Sequence, residues 1–160
     1  MRLAHACLAT AVLLGALPAS SLAYDPLALP AGPSVTTLDL TVRDAKRERD
    51  IPIRVYLPAS TAPVPVLLFS HGLGGSREHN PYLGEHWAGR GYVVVFLQHP
   101  GSDEAVWQDV PPAQRRRNME NAADLENFML RVGDVTAVLN QLGRWNGDGT
   151  SPLHARLDLE

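Results

Sequence analysis

Apolar and polar positions alternate twice near the start of the regular part of the chain. Leu38, Leu40 and Val42 interleave with Asp39, Thr41 and Arg43, and Ile51, Ile53, Val55 and Leu57 interleave with Pro52, Arg54 and Tyr56. A period of two predicts two strands, each with one wet face. The segment 44–50 between them is almost wholly charged and reads as a solvated hairpin loop, so the pair forms an antiparallel entry to a sheet. Two later runs, 64–69 and 92–97, are apolar nearly without interruption, as expected of strands covered on both faces in a parallel sheet. Joining two parallel strands requires a crossover. Asn80 as N-cap, Pro81 at the first helical position, Leu83 and Trp87 four apart, and Gly89 or Gly91 as the stop predict the helix that makes it.

Beyond these, Pro111 and Pro112 open a polar helical stretch with Arg115, Arg116 and Arg117 in a row and an apolar stripe at Leu125, Phe128, Met129 and Val132. Acids such as Glu120 and Asp124 within two turns favour a solvated helix face for the arginines over an anion site. A further helix carries Val132, Val135, Val138, Leu139 and Leu142 and ends near Gly143; it is expected to pack on the sheet. The residues 146–149 are turn material. Strand, loop, helix, strand in this order places the loop after the first buried strand, 70–79, at the carboxyl edge of the sheet, where open α/β folds bind ligands.

The amino terminus reads separately. Arg2, the uncharged stretch 6–17, Pro18 and the small-residue pattern Ser21-Leu22-Ala23 predict a secretory signal peptide over 1–23, followed by a proline-containing linker over 24–34 and the domain over 35–160. The competing reading is an uncleaved membrane anchor, which Pro18, Thr10, Ser20 and Ser21 disfavour. Export implies a secreted or periplasmic protein with no stable membrane span after cleavage. Cys7, the single cysteine, leaves with the signal, so neither thiolate chemistry nor a disulfide is expected.

Composition narrows the function. The 160 residues are 45% hydrophobic and 19% charged, in the range of one globular domain. With 14 basic and 17 acidic residues the formal charge is −3, becoming −4 once Arg2 is lost, and no basic footprint for nucleic acid is present. His71, His79, His86 and His99 lie eight, seven and thirteen apart, a spacing that matches no metal motif, so neither a metal nor another cofactor is expected. Trp87 and Trp107 read as packing residues ahead of substrate platforms.

The chemistry concentrates in Phe69-Ser70-His71-Gly72-Leu73-Gly74-Gly75-Ser76-Arg77. Glycines at the end of a parallel strand let the backbone turn sharply and leave its N–H groups uncovered, which suits an anionic oxygen. A phosphate loop needs Lys and Ser or Thr at the start of the next helix, and the dinucleotide fingerprint needs G-x-G-x-x-G; neither spacing is met. An oxyanion hole for ester chemistry remains, in which one backbone N–H is worth about 3 to 4 kcal/mol. His71 reads as a brace for this loop through a side-chain hydrogen bond ahead of a proton-transfer group. His99, at the end of the second buried strand, is open between lining the substrate pocket and a structural role.

The stretch from Leu67 to Gly75, with Arg90-Gly91-Tyr92-Val93-Val94-Val95 and Gln98-His99-Pro100-Gly101-Ser102, resembles secreted or periplasmic α/β-hydrolases, and among them the dienelactone-hydrolase-like and platelet-activating-factor-acetylhydrolase-like esterases. The segment 131–142 resembles the helix before their nucleophile strand. The resemblance covers about residues 35–160 and implies an α/β-hydrolase fold, a mostly parallel sheet with an N-terminal antiparallel hairpin. It implies a serine-type carboxylic-ester hydrolase acting on a small-molecule ester or lipid. Leu73 then supplies an oxyanion-hole backbone N–H, supported by His71, Gly72, Gly74 and Gly75. The family's nucleophile elbow, Gly-x-Ser-x-Gly, is expected next, followed by an acid and a histidine. None of Ser34, Ser60, Ser70, Ser76, Ser102 and Ser151 has glycine two positions before and two after. Nucleophile, acid and base of that triad are therefore not expected in this chain, and the lead-in at 156–160 is expected to stop about ten residues short of the elbow. A fragment of this kind is expected to be inactive and poorly folded alone; the alternative is a non-catalytic secreted binding module.

Overall fold

The computed structural model describes residues 35–159, so the signal and linker readings lie outside the described residues. Five strands and three α-helices follow in the order β1 (Thr36–Asp44), β2 (Arg49–Leu57), β3 (Val64–Ser70), α1 (Pro81–Gly89), β4 (Val93–Leu97), α2 (Pro112–Ala122), α3 (Leu125–Gly147) and β5 (Leu157–Asp158). The sheet order is β1-β2-β4-β3-β5. β1 pairs antiparallel with β2 from Thr36↔Leu57 to Asp44↔Arg49, as the two alternating runs require. β2 runs antiparallel to β4, whereas β3 lies parallel to both β4 and β5, so the sheet is mixed.

β4 is the centre of the core because it is flanked by β2 and β3 and covered on both faces. Val93, Val95 and Leu97 point to the face that packs with Val138 and Leu142 of α3, while Val94 and Phe96 point to the face that packs with Ala88 of α1. All five are fully buried, each contributing roughly 1.5 to 3 kcal/mol. β3 departs from the expectation of two-sided cover: Val66, Leu67, Leu68 and Phe69 are only half-buried. β5 pairs with Val64 and Pro65 alone, which leaves the rest of that strand edge without a neighbour among the described residues.

Two helix details differ from the pattern reading. Asn80 does occupy the N-cap of α1, but with φ +57° and no side-chain cap bond; the turn is closed by its carbonyl, which accepts from Leu83 N–H at 3.0 Å. The expected break near Val132 falls instead at Ala123–Asp124, where the Asp124 side chain caps α3 by accepting from Asn127 N–H at 2.7 Å. The stripe Leu125, Phe128, Met129 and Val132 thus belongs to α3, and it is exposed, as is Leu139. The inward line of α3 is Asp134, Val138 and Leu142, an i, i+4, i+8 series that leaves Leu139 about 100° away. No helix among the described residues is long and apolar enough to cross a membrane.

Candidate functional site

The register Ser70↔Leu97 brings the carboxyl ends of β3 and β4 side by side, so the loops leaving them, from His71 and from Gln98, start as neighbours. They are laced together. Gly74 N–H donates to Ser102 O at 2.9 Å, Glu104 N–H to Gly75 O at 2.9 Å, and Arg77 N–H to the Gln98 side chain at 2.8 Å. Trp107 donates its indole N–H to Gly74 O at 2.8 Å, which makes it a prop for the loop as well as a packing residue.

The glycines of the loop have different reasons to be there. Gly74 adopts φ +73°, and a Cβ on it would stand 2.8 Å from Met119 Cε. At Gly75 a Cβ would meet His71 Cβ at 2.9 Å. Gly72 faces open space. Between them Leu73 is 39% exposed, and its backbone N–H donates no hydrogen bond within the described residues. The Leu73 amide is thus uncommitted, in a loop that hydrogen bonds pin on both sides.

His71 is buried and bound at both ring nitrogens. Nε2 accepts from His99 N–H at 3.2 Å, so Nδ1 carries the proton and donates to Gly72 O at 2.7 Å. The ring is neutral in this arrangement, and burial pushes its pKa below the ordinary 6.5 against the opposing pull of the Gly72 carbonyl. Through these two bonds the ring links the glycine loop to the backbone at His99.

His99 is fully buried, with its ring against Ser70. Its Nε2 lies 2.9 Å from Ser70 Oγ and its Nδ1 lies 3.0 Å from Asp134 Oδ2. Asp134, also fully buried, accepts from Arg49 Nε at 2.8 Å and Nη2 at 3.0 Å, with Arg47 Nη2 3.0 Å away as an ion pair. Burial pushes the Asp134 carboxyl up, but the His99 and Arg49 hydrogen bonds and charges outweigh it and hold it below 3.8. One turn earlier on α3, Arg131 donates to Ser102 Oγ at 3.1 Å, to Ser70 Oγ at 2.9 Å and to His71 O. Arg131, Leu73 and Ser102 share with Ala122, Asn127 and Phe128 a recess of about 360 Å³. Arg115 and Arg116 stay on an exposed helix face, the latter paired with Glu120 at 2.7 Å.

Ser70, Arg131 and Asp134 are invisible to motif and spacing. One signal exists for Asp134: a carboxylate on the line otherwise held by Val138 and Leu142 is an acid on an apolar face, which requires buried partners.

The sequence profile of the family described as Platelet-activating factor acetylhydrolase, isoform II, matches residues 46–134, a span that runs from the hairpin loop through the glycine loop to Asp134. No curated protein matches the chain. Among solved structures, a putative dienelactone hydrolase from Klebsiella pneumoniae subsp. pneumoniae MGH 78578 is similar with a TM-score of 0.54 at 15% identity, over 72% of this chain and 47% of that one. A PEG-bound cold-adapted esterase from an Arctic intertidal metagenomic library has a TM-score of 0.51 at 18% identity, over 74% of this chain and 48% of that one. The chain thus spans about half the length of these structures, and at such identities the likeness is one of fold.

Proposed function

We propose that this chain, which belongs to the platelet-activating factor acetylhydrolase, isoform II, family, works as a serine-type carboxylic-ester hydrolase and contributes its oxyanion side. The observation that carries the reading is the Leu73 N–H, free of any partner within the described residues while the loop around it is fixed by Trp107, His71 and Arg131. In the reaction a serine attacks the ester carbonyl, and the carbonyl oxygen becomes negative as the tetrahedral intermediate forms. Leu73 N–H donates to that oxygen more strongly than to the neutral carbonyl, which lowers the barrier. Gly74 and Gly75 give the loop its path, and His71 and Gly72 hold it through their own hydrogen bond.

The recess beside Leu73, whose lining includes Phe128, Ala122 and Arg131, suits a small ester with an apolar acyl group. Residues 1–23 support export to the periplasm or the exterior as the setting of the reaction. The test is turnover by the complete natural protein of p-nitrophenyl acetate against p-nitrophenyl phosphate. Hydrolysis of the carboxylic ester alone supports the reading, and phosphate release without ester cleavage overturns it.

A further inference from the structure

We propose that Ser70, His99 and Asp134 form a second acyl-accepting site, distinct from any Gly-x-Ser-x-Gly serine, that takes small activated carboxylic esters. The inference rests on the ester-hydrolase reading above and adds a nucleophile that the motif search passes over.

The geometry is that of a nucleophile, its base and the group that orients the base. Ser70 Oγ lies 2.9 Å from His99 Nε2, and His99 Nδ1 lies 3.0 Å from Asp134 Oδ2. With Asp134 an ionised acceptor, Nδ1 holds the proton, so Nε2 presents its lone pair to Ser70 O–H. Asp134 is itself fixed by Arg49, which leaves the imidazole one orientation. Unlike the two groups behind it, Ser70 is exposed, at the open end of β3. A hydroxyl that served only to bridge buried groups gains little from an exposed position, because water satisfies the same bonds there. Arg131 Nη2, 2.9 Å from Oγ, supplies a cationic donor beside the attacking atom, and its side chain lines the recess that also contains Leu73 and Ser102.

The step balances within these groups. Ser70 Oγ forms a bond to the ester carbonyl carbon while its proton passes to His99 Nε2, and the carbonyl π pair moves to oxygen, where Arg131 donates to it. The intermediate collapses, the bond to the alkoxy oxygen breaks, and His99 returns the proton to the departing alcohol. Water then repeats the sequence on the acyl-Ser70 ester, releasing the acid and restoring the hydroxyl. Asp134 does not change protonation; it stabilises the transient imidazolium.

The experiment treats the natural full chain, its fold monitored by far-ultraviolet circular dichroism, with a fluorophosphonate probe and locates the adduct by peptide mass spectrometry. An adduct on the peptide carrying Ser70, lost in Ser70→Ala, is the expected result. A second variant tests activation directly: the thiol introduced by Ser70→Cys should be alkylated by iodoacetamide at neutral pH about a hundredfold faster in the folded protein than in the same variant unfolded in urea, and the advantage should vanish when His99→Gln is added. A folded protein with no adduct at Ser70, or a Ser70→Cys variant alkylated no faster folded than unfolded, overturns the proposal. If the adduct sits on another serine while p-nitrophenyl acetate is still hydrolysed, the ester-hydrolase reading stands and Ser70 is a bridging group. Absence of ester turnover together with absence of any adduct overturns both.

Discussion

Arg131, in the second turn of α3, donates to the backbone carbonyl of His71 at the end of β3, across 60 residues of sequence. The same guanidinium binds Ser70 Oγ and Ser102 Oγ, so one side chain ties the helix to both loops of the site. Arg131→Met keeps the stem and removes these bonds. Urea unfolding should show a loss of about 2 kcal/mol, and amide exchange at Gly72 and Leu73 should accelerate, as expected for hydrogen bonds from a charged donor.

Gly74 and Gly72 separate conformation from composition. Gly74→Ala places a side chain at φ +73° and against Met119, whereas Gly72→Ala meets open space. Thermal denaturation should give a loss of roughly 1 to 3 kcal/mol for the first and a change near zero for the second.

Asp134 is the buried carboxylate that two half-buried arginines share. Asp134→Asn leaves Arg49 with no carboxylate at its guanidinium and Arg47 with Asp44 alone. Denaturant titration should report a loss of about 3 kcal/mol or more, since breaking a buried pair strands its partner.

Acid should destabilise the fold in two steps. The His71 pKa is pushed below 6.5 in the folded chain, so between that lower value and 6.5 the unfolded chain binds more protons, and stability rises with pH. That contribution is fully present above 6.5 and is lost as pH falls through the folded value. Asp134, held below 3.8, adds stability above 3.8 that is lost on further acidification. Melting temperatures from pH 7.5 down to 5 should fall for the native chain, and His71→Gln should flatten the slope by up to about 1.4 kcal/mol per pH unit. An unchanged slope would show that His71 does not titrate on unfolding.

Much of the fold is legible in the sequence because it rests on local periodicity. The alternation in 38–42 and 51–57 is the β1–β2 register itself, and the unbroken run at 93–97 is the strand buried on both faces. The similar run at 64–69 misleads because apolar content reports what a strand prefers, not whether a neighbour reaches it; β5 covers only its first two residues. The boundary at Asp124 escapes the pattern because the apolar stripe that follows it looks continuous with the preceding helix, and the cap that divides them is one side-chain bond. At the site, the glycine loop and His71 are readable from chain-local chemistry. Ser70 at the end of β3, His99 in the loop after β4 and Asp134 on α3 lie 29 and 35 residues apart, and only the pairing of β3 with β4 and the packing of α3 bring them together.

The role of the Leu73 N–H is tested most directly by replacing that amide with an ester linkage in the complete natural protein, which removes the hydrogen and keeps the leucine side chain. The kcat for p-nitrophenyl acetate should fall by about 10² to 10³ with KM little changed. A kcat equal to that of the unmodified protein would contradict it.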